Sequence, residues 1–285
     1  MKRNSYKWYI LLLLHTMIGC RFLTNEKATQ SSYADTVPID SIIKIVPTAE
    51  ELARQIHYQN SREWVDEHID KNFLLGKIRR QNNPLLVRVG AMHTERNNIY
   101  LLKAVYEAYK KMHKAALADG VKLRIISGHR VFYEQIHEWE LRWNNPRTNT
   151  VFANDIERAR YVLRFRSMPG TSRHHWGTDI DLNSLSTAYF ETEEGRKVYQ
   201  WLVENASFFG FYQPYTAIDY NRPFGYREEK WHWSYKPLAQ PMLNKYLELV
   251  TIDDISGFQG DATARKLPII AEWVLGINPQ MFVVH

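Results

Sequence analysis

Apolar residues recur at helical spacing most clearly between about residues 97 and 119. The positions that share one face at intervals of three or four are Leu102, Val105, Tyr109, Met112 and Ala116. This period is typical of an amphipathic helix with one buried side. Gly120 follows directly, and glycine is the usual left-handed terminator of a helix. The pattern predicts one packed helix that ends at this glycine.

Other stretches predict a mixture of helices and short strands. A second helix is expected over 192–209, and alternation of apolar and polar residues predicts strands over 121–125 and 231–235. Thr48 followed by Glu51 forms a capping-box pattern at the start of a first helix. Because the elements show no regular βαβ rhythm, the predicted fold class is α+β.

Composition and net charge limit the kinds of partner that the protein is expected to bind. The 285 residues are 45% hydrophobic and 24% charged, within the range of one globular domain with extensions. The formal charge is +6, and removal of Lys2, Arg3 and Lys7 with a leader would leave +3 (6 − 3). So mild a charge gives no reason to expect a nucleic-acid partner. It is compatible with an anionic polymer such as a cell wall.

The first twenty residues have the pattern of an export signal. Three positive residues lead into the apolar run of residues 8–14, which is too short for a membrane span. Met17-Ile-Gly-Cys20 resembles a bacterial lipobox, so residues 1–19 are predicted to be a lipoprotein signal peptide and Cys20 the lipidated residue. The protein is then expected to be exported and anchored to a bacterial membrane, facing the periplasm or cell wall. A plain signal peptide or an uncleaved anchor is the alternative.

The rest of the chain divides into a tether and a domain. Residues 20–45 are polar without apolar periodicity and are interpreted as a tether. Residues 46–285 are interpreted as the folded domain. Cys20 is the only cysteine, which excludes an internal disulfide and a cysteine-ligated zinc site.

Two segments carry the residue types of a catalytic zinc site. His174 and Asp181 lie on either side of Gly177, and Glu229 precedes His232 by three positions. Two imidazoles and a carboxylate leave a fourth zinc position for water, and a second carboxylate can take the proton of that water. No HExxH sequence occurs, so the common zinc-protease site with two histidine ligands on one helix is excluded.

Each of these residues also has a simpler interpretation. His174 alone fits a hydrogen-bonded polar loop, His232 a packed core histidine, and Glu229 a solvated run of charges. A turn at Gly177 is needed to bring His174 back toward Asp181, and glycine permits that backbone path. The four residues together, rather than any one of them, favour the metal site.

The spacing of these residues carries a resemblance to a known family. Ser172-x-His174-x-x-Gly177-x-x-x-Asp181 and Glu229-x-Trp-His232, with Ser127-Gly-His129-Arg130 upstream, resemble the zinc D-alanyl-D-alanine carboxypeptidases of the VanY and LAS type. The resemblance covers about residues 95–240. It implies a small central antiparallel sheet flanked by helices, with one zinc ion per chain at the sheet face.

The resemblance also implies a role for each residue. His174, Asp181 and His232 correspond to the zinc ligands, and Glu229 to the catalytic base. Arg130, Ser172 and Gln135 correspond to substrate-binding positions, with Arg130 on the terminal carboxylate. A guanidinium fork suits a carboxylate on physical grounds as well, although a structural ion pair is the alternative.

Three residues near the motifs need separate interpretation. His129 stands where the family often has tyrosine, and it could alter the wall of the pocket. Asp179 stands where a small residue is common, and it is expected to share a strand face with Asp181 and support a ligating histidine. His175 could close a structural zinc site, but it is expected to point away because neighbours on an extended segment do so.

The predicted function is removal of the terminal D-alanine from peptidoglycan stem peptides by a monomeric zinc carboxypeptidase. An L,D-carboxypeptidase or a wall endopeptidase of the same fold is one alternative. A zinc-stabilised, non-catalytic wall-binding lipoprotein is the other. Residues 48–93 and 252–285 carry no chemistry that the sequence reveals.

Overall fold

The computed structural model describes residues 48–144 and 152–282. The predicted signal peptide, Cys20 and the tether lie outside these residues. In the described part of the chain, no helix is both long enough and apolar enough to cross a membrane.

Helices of varied length make up most of the regular structure. Those among the described residues are α1 (Ala49–His68), α2 (Lys71–Leu74), α3 (Lys103–Ala118), α4 (Phe132–Trp143), α5 (Asp155–Leu163), α6 (Thr187–Phe190), α7 (Glu193–Asn205) and α8 (Lys236–Leu249). Short 3₁₀-helices are formed by Arg173–Trp176, Ala206–Phe209, Ile252–Asp254, Asp261–Lys266 and Pro279–Met281, and a π-helical turn by Ile269–Val274.

The strands form two small antiparallel sheets. They are β1 (Leu86–Arg88), β2 (Tyr100–Leu102), β3 (Ile125–Ser127), β4 (Asp179–Leu182), β5 (Phe211–Tyr212) and β6 (His232–Tyr235). β1 pairs with β2, and the other four lie in the order β3-β4-β6-β5. The predicted α+β fold with a small antiparallel sheet is therefore confirmed.

The register of the β4–β6 pair gives the sheet one polar and one apolar face. Asp179 pairs with Ser234 and Asp181 with His232, while Ile180 pairs with Trp233 between them. Directly paired residues project to the same side of a sheet, and successive residues alternate. All the carboxylates and the imidazole of this strand pair thus share one face.

The helix predicted over 97–119 begins later than expected. Residues Tyr100–Leu102 form β2, and α3 starts at Lys103. Leu102 is buried in either arrangement, so apolar spacing could not distinguish a short strand that runs straight into a helix. Gly120 ends the helix as predicted, with a φ of 69°.

The strand predicted over 121–125 is displaced toward the C-terminus. β3 comprises Ile125–Ser127, although Val121 and Leu123 are buried in the core. The Asn183 side chain accepts a hydrogen bond from the Arg124 amide (3.0 Å). The Asn183 amide donates in turn to the Arg124 carbonyl (2.8 Å), so Asn183 satisfies both backbone groups of Arg124 without extending β3.

Three other predicted elements are confirmed. Thr48 and Glu51 form the reciprocal capping box of α1. α7 and the 3₁₀ turn that follows it fill the helix predicted over 192–209, and β6 falls within 231–235. α1 then packs along α8, where the Lys245 ammonium donates to the carbonyls of Val65 (3.1 Å) and Asp66 (2.8 Å).

Candidate metal centre

A reversal of the backbone at Gly177 positions His174. The 3₁₀ turn Arg173–Trp176 ends at Gly177, whose φ of 68° lies in the left-handed region that glycine adopts without strain. β4 follows immediately. The reversal places Nε2 of His174 3.3 Å from Oδ2 of Asp181. The turn that the sequence analysis required is present.

Three side chains converge on one point. His174, Asp181 and His232 each offer a ligand atom, and these atoms all lie within 4.8 Å of one another. Nδ1 of His232 is 3.2 Å from Oδ1 of Asp181. All three residues are buried, with 3–5% of their surface exposed.

Hydrogen bonds on the far side of each ring fix the tautomers. Nδ1 of His174 lies 2.9 Å from the Gly128 carbonyl oxygen, which can only accept a hydrogen bond. Nε2 of His232 lies 2.9 Å from Oδ2 of Asp179. With those nitrogens donating, Nε2 of His174 and Nδ1 of His232 present lone pairs to the shared point. The expected contact between Asp179 and a candidate ligand is present.

The arrangement fits a zinc ion. Oδ1 of Asp181 is buried and has no properly oriented hydrogen-bond donor among the described residues, despite its 3.2 Å distance to His232. A buried carboxylate oxygen without a donor is costly unless a cation contacts it. Two imidazole nitrogens and one carboxylate are donors that zinc prefers, and they leave a fourth position open.

The electrostatics of the site also favour a positive charge. Burial alone would raise the pKa of Asp181, but His174 and His232 lower that pKa well below its usual range. Burial alone would lower the pKa of His232, but the surrounding carboxylates of Asp179, Asp181 and Glu229 raise that pKa well above its ordinary value. The carboxylates therefore stabilise a cation at the point where the ligand atoms meet.

Glu229 faces this point and its neighbour does not. Oε2 of Glu229 is 3.3 Å from Nδ1 of His232, and 23% of its side chain is exposed. The Glu229 amide donates to the Tyr215 carbonyl (2.9 Å), which fixes the backbone there. Glu228 turns the other way and accepts a hydrogen bond from Tyr199. Glu229 is thus part of the site and not of a solvated charge run.

Arg130 is oriented by polar side chains and not by an acid. Its Nη1 donates to Oε1 of Gln135 (2.7 Å), and its Nη2 lies 3.4 Å from Oγ of Ser127. Gln135 is held in turn by a bond to the Ser167 carbonyl (2.8 Å). Among the described residues, no carboxylate lies within ion-pair distance of Arg130. The alternative of a structural ion pair therefore finds no partner in this part of the chain.

His175 and His129 lie outside the ligand set. Nδ1 of His175 donates to the Arg130 carbonyl (2.7 Å), and Nε2 accepts from the Gly170 amide (3.1 Å). The ring joins two loops and cannot close the metal site, as expected. His129 packs near Phe73, and neither of its buried nitrogens has a partner among the described residues.

One cleft unites most of the predicted site. Its volume is about 660 Å³. The predicted residues on its walls are Arg130, Ser172, His174, Asp181, Glu229 and His232. Gln135 contacts Arg130 and is fully buried, so in this structure it orients the guanidinium instead of lining the cleft.

Two buried residues of the site, Tyr215 and Arg173, were not predicted from the sequence. The Tyr215 ring centroid lies 4.9 Å from that of His232, and nothing in the sequence around Tyr215 marks it. Arg173 binds Asp179 through Nε at 2.8 Å. Its position between Ser172 and His174 was the available signal.

Comparisons with known proteins agree with this geometry. Residues 98–238 match the family model described as VanY, D-alanyl-D-alanine carboxypeptidase. A relative from Enterococcus faecalis named D-alanyl-D-alanine carboxypeptidase is 32% identical over 123 residues, 42% of this chain and 42% of that protein. YodJ of Bacillus subtilis is 27% identical over 146 residues, 48% of this chain and 46% of that protein. The match thus spans less than half the length of either relative.

Solved structures are similar at a lower level. The structure described as VanYB in complex with D-alanine-D-alanine gives a TM-score of 0.44 at 22% identity, covering 61% of this chain and 93% of that chain. The LdcB LD-carboxypeptidase gives 0.43 at 21%, covering 62% and 81%.

The segment matched by the family contains the three candidate ligands, Glu229 and Arg130. Over residues 98–238, the chain is similar to the VanY D-alanyl-D-alanine carboxypeptidase family.

Proposed function

We propose that this protein is a zinc-dependent carboxypeptidase that removes the terminal D-alanine from peptidoglycan stem peptides. The observation that carries the proposal is the convergence of His174, Asp181 and His232 on one point, with Oε2 of Glu229 3.3 Å from Nδ1 of His232. The family match and the name of the Enterococcus faecalis relative support the same substrate class.

The mechanism assigns a separate task to each part of the cleft. A zinc ion bound by His174, Asp181 and His232 would lower the pKa of a water molecule and polarise the scissile carbonyl. Glu229 accepts the proton of the attacking water and delivers it to the leaving amine, since its carboxylate borders the ligand point and is partly open to the cleft.

Arg130 determines which end of the peptide enters. Its guanidinium lines the cleft, and no carboxylate among the described residues pairs with it. A planar carboxylate can therefore bind to the fork. Gln135 and Ser127 hold that fork in place. Binding of a terminal carboxylate favours removal of the last residue over cleavage within a chain.

Defined stem peptides test the proposal. The zinc-loaded protein is expected to convert a pentapeptide ending in D-alanyl-D-alanine into the tetrapeptide and free D-alanine, as measured by mass spectrometry. Cleavage only of tetrapeptides would indicate an L,D-carboxypeptidase, and cleavage of cross-linked dimers an endopeptidase. Binding to cell-wall fragments without cleavage of any of them would indicate a wall-binding lipoprotein.

We also propose that residues 1–19 are removed and that Cys20 carries the lipid, so that a monomeric domain is tethered by residues 20–45. The lipobox-like sequence before Cys20 supports this. Cys20→Ser is expected to move the protein from the membrane fraction to the soluble fraction. Equal membrane retention of both forms would contradict the lipid anchor.

A further inference from the structure

Asp179 is the most heavily hydrogen-bonded carboxylate beside the metal centre. Oδ1 accepts bonds from the hydroxyls of Thr178 (2.6 Å) and Ser234 (2.7 Å). Oδ2 accepts a bond from Nε of Arg173 (2.8 Å) and lies 2.9 Å from Nε2 of His232. The side chain has no solvent exposure. Its orientation is therefore determined on every side.

Arg173 is held as firmly as Asp179. Its guanidinium donates through Nη2 to Oγ of Ser234 (2.7 Å) and lies 4.8 Å from the centre of the Trp176 ring. Trp176 is anchored by its own bond to the Leu74 carbonyl (3.2 Å). Only 1% of the Arg173 side chain is exposed. The pair forms a rigid, internally neutral unit.

Stability alone explains this unit poorly. Removing two charges from water is costly, and a buried ion pair can often be replaced by apolar residues without loss of stability. Nη1 of Arg173 is also buried without a partner among the described residues, which adds to the cost. A feature with this cost and little net stability points to a role in the adjacent site.

The two imidazoles of the centre are supported differently. The far nitrogen of His174 meets a neutral backbone carbonyl, whereas that of His232 meets a carboxylate. A carboxylate on the far side of an imidazole orients the ring and makes its other nitrogen a stronger donor to a metal. The pair of Asp179 and Arg173 supplies this effect to His232 alone.

We propose that Arg173, Asp179 and Ser234 form a positioning unit that holds Nδ1 of His232 toward the metal and strengthens metal binding. The inference rests on the metal site of the proposed function. None of the three needs to contact substrate. Arg173 and Ser234 act by keeping the Asp179 carboxylate in the orientation that His232 requires.

Zinc affinity of the purified full chain tests this proposal by competition with a chromophoric chelator. Asp179→Ala is expected to weaken zinc binding about 10–100-fold and to alter the visible spectrum of the cobalt-substituted protein. It also lowers the Tm because Arg173 remains buried and unpaired. Arg173→Met combined with Asp179→Ala should recover most of the Tm while zinc affinity stays low.

The double variant tests whether the pair affects zinc affinity independently of protein stability. A double variant with wild-type zinc affinity and a wild-type cobalt spectrum would show that the pair is merely structural. If Asp179→Ala does not fold, the double variant and the isosteric Asp179→Asn give the same readout. Glu134→Ala is the matched control, because Glu134 binds Arg80 at 2.7 Å and contacts no candidate ligand. It should lower the Tm without changing zinc affinity.

These measurements use no peptide. A wild-type protein that binds zinc but cleaves no stem peptide would contradict the proposed function and leave the positioning role standing.

Discussion

The two faces of the β4–β6 strand pair are equally buried and chemically opposite. One face carries Asp179 and Asp181, which are 0% and 3% exposed, and the other carries Ile180 and Trp233, which are also 0% and 3% exposed. Burial of the apolar face stabilises the fold, because its side chains leave water. Burial of the polar face has a desolvation cost, and the hydrogen bonds of that face do no more than offset this cost. The comparison indicates that the apolar face maintains the fold and the polar face serves a ligand.

The largest effect is expected from breaking the polar face at a ligand. Asp181→Ala removes the central carboxylate, so zinc binding and the chemistry that depends on it should both be lost. Metal activation is worth several kcal/mol, so turnover should fall by about 10³-fold or more. Metal content and stem-peptide hydrolysis measure this. A variant that retains zinc and turnover would place the metal elsewhere.

The opposite face should respond in stability and not in chemistry. Ile180→Ala leaves a cavity in the core and should lower the free energy of unfolding by about 2–5 kcal/mol. Zinc affinity of the folded protein should stay close to that of the wild type. Denaturant unfolding and zinc titration check the two parts. Loss of zinc affinity with little loss of stability would refute the division between the faces.

Arg130 lines the same cleft as Asp181, which lies on the polar face. Arg130→Lys keeps the charge but loses the fork that matches a carboxylate. With about 1.5–3 kcal/mol for a charged hydrogen bond, kcat/KM for a stem peptide should fall by roughly 10–100-fold. Zinc content should not change. An equal loss on a peptide with an amidated C-terminus would argue against carboxylate recognition.

The smallest effect is expected at His129, a buried polar residue whose ring nitrogens have no hydrogen-bond partner among the described residues. His129→Phe removes the unpaired ring nitrogens and should raise the free energy of unfolding at neutral pH by about 1 kcal/mol. Denaturant midpoints measure this change.

His129→Phe should also make the stability of the protein less sensitive to acid. Burial lowers the pKa of His129 from 6.5 to about 3. The unfolded chain takes up a proton near pH 6.5, whereas the folded chain remains neutral until about pH 3. Stability is therefore lost as pH falls across this window, and His129→Phe should lose less. Parallel pH profiles of the two proteins would contradict this.

Features with local physical causes could be predicted from the sequence. The glycine reversal at Gly177, the alternation of β6 and the capping box of α1 each depend on a few neighbouring residues. The candidate ligand set could be named from the sequence because His174, Asp181 and His232 occur with Glu229 at a characteristic spacing. Their convergence follows from β4 pairing with β6 in the register that sets Asp181 opposite His232.

Features that depend on distant contacts could not be predicted. The sequence around Arg173 does not reveal its burial, which follows from the contacts with Asp179, Ser234 and Trp176. Residues Tyr100–Leu102 fit a helical pattern but pair with β1, and this pairing is a tertiary contact that the local pattern does not reveal. The contacts of Gln135 with Arg130 and with the Ser167 carbonyl likewise depend on the tertiary fold.

The proposed mechanism makes Glu229 the base of a hydrolase whose metal is held by other residues. This division of roles is tested by metal content and hydrolysis of a stem pentapeptide, measured together for the wild type and for Glu229→Ala. The variant should keep one zinc ion per chain and lose turnover by about 10²–10⁴-fold. Wild-type turnover in a zinc-loaded Glu229→Ala protein would show that Glu229 is not the base.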